Sequence, residues 1–161
     1  MKGSLFHELE VGLPASEVWE VYGTLRLAQL VVELLPHVIQ KVDVIEGDGG
    51  VGTVLKVTFA PGTPGVQFYK EKFVKVDNEK RVKEVLVVEG GFLDLGFRSV
   101  LFRLENIEKD SNSSFIKSTI EYEIDEEHAA NASLVTTAFL ATMAETISKY
   151  LTEKKTGVMN S

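Results

Sequence analysis

Between residues 39 and 124 the chain reads as six short stretches of alternating apolar and polar residues laid end to end, after which the period changes and does not change back. The stretches are Ile39 to Ile45, Thr53 to Phe59, Gln67 to Val76, Arg81 to Val88, Leu95 to Asn106 and Ser114 to Ile124, parted by turns rich in Gly, Pro, Asp and Asn. From His128 to Lys155, Val135, Phe139, Thr142 or Met143, Ile147 and Tyr150 or Leu151 fall on one face, which predicts a helix of about seven turns. Strands joined this directly pair antiparallel, and a curved sheet of them can bury its concave face only against that helix. Such a grip leaves room for a cavity. Upstream, residues 3 to 11 add a first strand. Pro14-Ala15-Ser16-Glu17 opens a short helix that Gly23-Thr24 ends, and a second runs from Leu25 to Leu35 before Pro36.

At 161 residues and 44% hydrophobic content, the chain is expected to form one cavity-bearing domain over 1–161, with a flexible tail from about residue 156. Twenty-four acidic against 17 basic residues give a net charge of −7, which opposes nonspecific binding to nucleic acid or an anionic membrane surface. The absence of cysteine excludes disulfides, iron–sulfur and thiolate zinc sites, and thiol catalysis. His7, His37 and His128 are scattered with no acidic pair at ligand spacing, so no metal is expected. No apolar run has the length of a membrane span, and Met1-Lys2-Gly3-Ser4-Leu5-Phe6-His7-Glu8 lacks the pattern of a secretory signal; a cytoplasmic protein is expected.

Strand alternation gives the sharpest clue to chemistry. A hairpin turn is expected around Val76-Asp77-Asn78-Glu79, and centring it near Asp77 sets residue 71 opposite 83 and 69 opposite 85. The odd positions, Tyr69, Glu71 and Phe73 on one strand and Lys83, Val85 and Val87 on the other, form the more apolar face, so Glu71 and Lys83 are predicted to point inward. Such a pair is either two charges neutralising each other in a core or a general acid/base couple beside the Tyr69 phenol. Burial raises a carboxyl pKa and lowers an amine pKa while the mutual charge opposes both, and that balance can place one group near neutrality.

Other polar features carry less. Glu46-Gly47-Asp48-Gly49-Gly50-Val51-Gly52-Thr53 has the glycines of a phosphate cradle but lacks the Gly-Lys-Ser/Thr ending and is followed by a strand, which favours a hairpin. No serine sits in a nucleophile elbow. Arg98 shares strand parity with Val100 and Phe102; either a bulge turns it outward or it meets an acidic group or a ligand.

The Gly-rich run 46–53, Tyr69-Lys70-Glu71-Lys72-Phe73 and Glu89-Gly90-Gly91-Phe92-Leu93-Asp94-Leu95-Gly96 together resemble the plant pathogenesis-related class-ten proteins of the birch-pollen-allergen fold, over nearly the whole chain. Within that family, His7-Glu8-Leu9-Glu10-Val11, Trp19, Thr24-Leu25-Arg26-Leu27-Ala28-Gln29-Leu30 and Asp125 to Ser133 are similar to the branch that condenses aromatic amines with aldehydes in alkaloid biosynthesis. The resemblance implies an α+β, helix-grip (START-like) fold, a seven-stranded curved antiparallel sheet around a long C-terminal helix with two short helices and a hydrophobic tunnel.

The ring-closing members of that branch carry a catalytic Tyr, Glu, Lys and Asp. By motif these fall on Tyr69, Glu71 and Lys83, the trio that alternation selects, and on Phe102, where the Asp is missing. Imine-forming members are also apolar at that place, with their Tyr one position earlier, where this chain has Phe68.

The implied reaction joins a phenethylamine, tyramine or dopamine, to an aromatic aldehyde such as 3,4-dihydroxybenzaldehyde, giving an imine without a cofactor. The alternative is Pictet–Spengler closure of dopamine with 4-hydroxyphenylacetaldehyde, and a third possibility is a plant-ligand binder without turnover. Expected roles are Lys83 as proton donor for carbinolamine dehydration or acceptor of a phenol proton, Glu71 as proton acceptor and Tyr69 as orienter of a phenolic hydroxyl. Phe59, Phe68, Phe73, Phe92, Arg98, Phe102, Phe139, Met143 and Ile147 are the expected substrate contacts. A monomer or weak homodimer is expected.

Overall fold

The computed structural model describes residues 1–63 and 67–157. Strand β1 (Lys2–Val11) precedes helices α1 (Ala15–Tyr22) and α2 (Arg26–Leu34). Six strands follow: β2 (Ile39–Glu46), β3 (Val54–Phe59), β4 (Phe68–Asp77), β5 (Val82–Gly90), β6 (Phe97–Asp110) and β7 (Ser113–Ile124). Helix α3 (Ala138–Lys155) closes the order. The strands form one seven-stranded antiparallel sheet in the order β1-β7-β6-β5-β4-β3-β2. It is the α+β helix-grip architecture that the order of periods implies.

Local chemistry explains the punctuation. The Pro14 carbonyl accepts from the Glu17 and Val18 amides at the start of α1, where proline loses nothing by lacking an N–H. Gly23 ends α1, its amide donating to the Trp19 carbonyl. The 46–53 loop is a hairpin connection whose Gly49 amide donates to Thr53 Oγ1 at 2.8 Å, so a side chain of the loop itself takes a donor that a phosphate would need.

Packing divides the apolar residues into two groups. The larger core joins α1, α2 and α3 to the sheet through residues such as Tyr22, Leu30, Val100, Ile116 and Ile147, all nearly inaccessible. A smaller one, Leu55, Phe73 and Val85, lies on the concave face of β3 to β5. The opposite face is polar: Arg103 reaches Glu84 and Glu121 at 2.8 Å each, partly exposed pairs that contribute about 0–1 kcal/mol apiece.

Two expected elements differ. The C-terminal helix spans 18 residues from Ala138, because Glu126–Leu134 is a 3-10 segment with no buried residue and Val135 is extended. That stretch has no apolar stripe to bury, and Asn131 Nδ2 ties it to the Leu95 carbonyl at 2.8 Å. Gly91–Leu95 is likewise a 3-10 turn, so β6 begins at Phe97 and not at Leu95. The expected tail lies mostly outside the described residues.

Candidate active site

A cavity of about 570 Å³ lies between the concave face of β3 to β6 and helices α2 and α3. Its walls are mainly aliphatic and aromatic, and among the described residues Glu71 and Lys83 are the charged side chains that line it. Phe59, Phe73, Phe92, Phe102, Phe139 and Met143 all line it, as does Tyr69.

Three expected contacts lie elsewhere. Arg98 is exposed and donates from Nε to Asp125, because an irregularity between Phe97 and Ser99 turns it off the inward face; the bulge and the acidic partner, both left open by its parity, are realised together. Phe68 stands outside the cavity lining, with Lys56 Nζ 4.7 Å from its ring centroid. Ile147 is 1% exposed in the main core, one helical turn past Met143.

Sequence reasoning missed the α2 wall, where Leu27, Ala28 and Val31 line the cavity. The signal was there, since Leu27, Leu30 and Val31 mark an amphipathic face. It also missed Leu134 and Thr136, which line the cavity where the 3-10 segment gives way to α3.

The pair reaches the cavity by a route that differs from the expected register. The turn comprises residues 78–81, held by Asp77 Oδ1, which accepts from the amides of Glu79 at 3.1 Å and Lys80 at 2.9 Å. Lys83 consequently pairs with Val76, and without correction β4 would present its even residues, Lys70 and Lys72 among them, on the face of Lys83. A bulge at Val74 restores the parity: Phe73 pairs with Val85 and Glu71 with Val87. Glu71 and Lys83 therefore share a face but lie diagonally, with Phe73 between them.

Lys83 is 2% exposed, and its Nζ lies 4.5 Å from the Phe73 ring centroid. Glu71 is half-buried by area because the cavity opens in front of it, although protein surrounds it otherwise. Burial raises the Glu71 carboxyl to about 7, opposed by the Lys83 charge and by a hydrogen bond with Tyr69. Burial lowers the Lys83 ammonium to about 8, opposed by the Glu71 charge. The Tyr69 hydroxyl is pushed well above its ordinary value by burial, then by the charge and hydrogen bonding of Glu71. An amine and a carboxyl that each hold or release a proton near neutrality can move protons to and from a substrate in the cavity.

Two aromatic neighbours fix the Tyr69 ring: its centroid lies 5.8 Å from that of Phe59 and 6.5 Å from that of Phe102. Behind it, Gly91 has a φ of +57°, and a Cβ built there would stand 2.9 Å from Tyr69 Cβ. The glycine thus supplies both the left-handed backbone and the space for Tyr69. No group of three or more His, Cys, Asp and Glu among the described residues is placed to hold a metal.

Fold and cavity define the class of protein: the chain belongs to the pathogenesis-related protein Bet v 1 family, which it matches over residues 1–154. Among curated relatives, norbelladine synthase of Narcissus pseudonarcissus is 64% identical over 155 residues, covering 96% of this chain and 95% of the relative. S-norcoclaurine synthase 2 of Papaver somniferum is 46% identical, covering 96% of this chain and 68% of the relative. Among solved structures, a point mutant of Thalictrum flavum norcoclaurine synthase in complex with a transition-state analogue superposes with a TM-score of 0.88 at 43% identity, covering 96% of this chain and 97% of that one. The same enzyme in complex with dopamine and hydroxybenzaldehyde gives 0.85 at 42% identity, over 95% of this chain and 88% of that one. Among the described residues no helix is long and apolar enough to cross a membrane.

Proposed function

We propose that this chain is an amine–aldehyde condensing enzyme of alkaloid biosynthesis, norbelladine synthase-like, that joins tyramine or a related phenethylamine to 3,4-dihydroxybenzaldehyde as an imine. The observation that carries this reading is the Glu71–Lys83 pair, the charged side chains among the described residues that line the cavity. Likeness to norbelladine synthase over nearly the full length of both chains supports it.

The amine nitrogen attacks the aldehyde carbon and gives a carbinolamine. Lys83, as ammonium, donates a proton to the departing hydroxyl, which leaves as water, while Glu71 as carboxylate accepts the proton shed by nitrogen. Tyr69 orients a phenolic hydroxyl. Phe59, Phe102, Phe139 and Met143 hold the two flat partners, which turns a bimolecular encounter into a positioned one. Each step is a proton transfer or addition that needs only these side chains. The chain acts as a monomer or weak homodimer.

A second reading, Pictet–Spengler closure of dopamine with 4-hydroxyphenylacetaldehyde, is favoured by the likeness to a structure that holds dopamine and hydroxybenzaldehyde. Phe102 weighs against it, because ring closure ends with loss of a ring proton and the far wall of the cavity offers no acceptor there.

Incubation with tyramine and 3,4-dihydroxybenzaldehyde, with a mild reductant to trap the imine, is the test. Trapped norbelladine should form faster than in a no-protein control. A rate equal to the background, with ligand still bound, would leave a binding protein.

A further inference from the structure

We propose that Phe73 is a positioning residue for Lys83, its ring face holding the side-chain ammonium where it can reach both Glu71 and the cavity. The catalytic consequence rests on the condensing-enzyme reading, whereas the contact itself does not.

The argument begins with the bulge at Val74. It leaves Lys83 opposite Val76, diagonal to Glu71, with the Phe73–Val85 pair between them. To approach Glu71 the lysine side chain must pass over Phe73, and its Nζ rests 4.5 Å from that ring centroid, inside the roughly 6 Å reach of a cation–π contact. The ring cannot easily move away. Phe73 is 2% exposed, packed in the small core with Leu55 and Val85 and bordered by Leu25, Ala28 and Phe102.

The alternatives available to Lys83 explain why a ring matters. At 2% exposure its ammonium has almost no water, so a neighbouring group must replace hydration. Among the described residues the charged group that acts on it is Glu71 of β4, which is in turn hydrogen-bonded to Tyr69 of the same strand. Phe102 and Leu104 from β6 and Met143 from α3 add apolar wall, and α2 adds Leu25 and Ala28 near the ring. With Glu71 as its sole partner, the ammonium would close onto the carboxylate in a contact pair that a substrate would have to break. A π face gives the cation a second seat, one that leaves its N–H donors free toward the cavity. A leucine would fill the same core but could not favour a cation.

Replacement of Phe73 by 4-fluoro-, 3,5-difluoro- and 3,4,5-trifluorophenylalanine nearly keeps its shape while draining the negative face of the ring. The Lys83 titration can be followed by NMR of lysine labelled at Cε, with the Lys83 signal assigned by its loss in Lys83→Arg. The apparent pKa of Lys83 should fall stepwise along the series, by about one pH unit at the trifluoro ring, a tenfold change in the ammonium:amine ratio. Phe73→Leu should fall at least as far. In condensation assays the alkaline limb of the kcat profile should move to lower pH by the same amount with KM little changed, as expected when the ammonium form is lost at a lower pH and binding is not affected. A Lys83 titration that is constant across the fluorinated series would overturn the proposal, whether or not Phe73→Leu folds. Because the NMR readout needs no turnover, failure of the condensation reading would show separately, as a shifted titration without product.

Discussion

Glu71 and Lys83 share one wall of the cavity without facing each other across the ladder: Glu71 pairs with Val87 and Lys83 with Val76, and the aromatic side chain of Phe73 lies between. Their electrostatic coupling runs diagonally through a space a substrate can enter. That arrangement differs from a closed core ion pair, and it makes each partner separately testable.

Lys83→Ala is expected to slow the enzyme-dependent rate by about 10²–10⁴-fold, the usual contribution of a general acid/base group. Circular dichroism should show the fold retained, since the truncated side chain borders a cavity and its removal takes away a buried charge. A folded variant with an unaltered rate would remove Lys83 from the mechanism.

The pair should also leave a mark on stability. Glu71, raised from an ordinary 4.5 to about 7, holds a proton when folded that it releases when unfolded, so stability falls as pH rises through that window. Lys83, lowered from 10.5 to about 8, does the reverse, and stability recovers between about 8 and 10.5. Thermal melts of the wild type and of Glu71→Gln/Lys83→Met should therefore differ most, in favour of the variant, between pH 7 and 8. A difference that grows toward pH 5 or pH 10 would show that the two groups are not buried in this way.

Gly91→Ala tests the seat of Tyr69. The added Cβ meets Tyr69 Cβ at 2.9 Å, at a φ of +57° that alanine tolerates poorly, so a loss of about 1–3 kcal/mol and a lower kcat are expected. Gly52→Ala is the control, because its φ is +95° but nothing lies within 4 Å of the new Cβ. Chemical denaturation and initial rates should show both variants destabilised and only Gly91→Ala impaired in turnover. Equal impairment of the two would assign the effect to backbone strain alone.

Much of this arrangement was legible in the sequence, and the exceptions have physical causes. Alternation depends on the side-chain period of 2, so the inward face of β4 and β5 could be read from Tyr69, Glu71, Phe73 and Lys83. Register could not, because it depends on how Asp77 folds its side chain back onto the turn and on one extra residue at Val74, whose effects on parity cancel. The orientation of Arg98 stayed open for a similar reason: the irregularity that turns it toward Asp125, away from the cavity contacts it was grouped with, has no sequence signature. Ile147 and Met143 follow one helical stripe, and only the depth of the cavity decides that Met143 lines it and Ile147 does not. Periodicity also joined the 3-10 segment, from His128 onward, to α3, since its Ala129, Ala130 and Ala132 satisfy a helix pattern without burying anything.

Phe102→Asp should shift the product balance. Phe102 faces the cavity between Val85 and Ile120 and beside Tyr69, where a carboxylate could take the proton that leaves the ring on closure. Norcoclaurine formed from dopamine and 4-hydroxyphenylacetaldehyde should rise relative to wild type, at a stability cost of about 1–3 kcal/mol for a newly buried polar group. Chiral chromatography of the products measures the gain, and a variant that folds with no gain would mean that Phe102 does not limit ring closure.

The most direct measurement sets initial rates for the two substrate pairs side by side in one preparation, with imine trapped by reduction and ring-closed product resolved by chiral chromatography, each corrected for the uncatalysed reaction. Tyramine with 3,4-dihydroxybenzaldehyde should give the larger enzyme-dependent rate, and dopamine with 4-hydroxyphenylacetaldehyde a slower and less stereoselective one. Efficient, fully (S)-selective norcoclaurine formation with no gain in imine from tyramine would contradict the account.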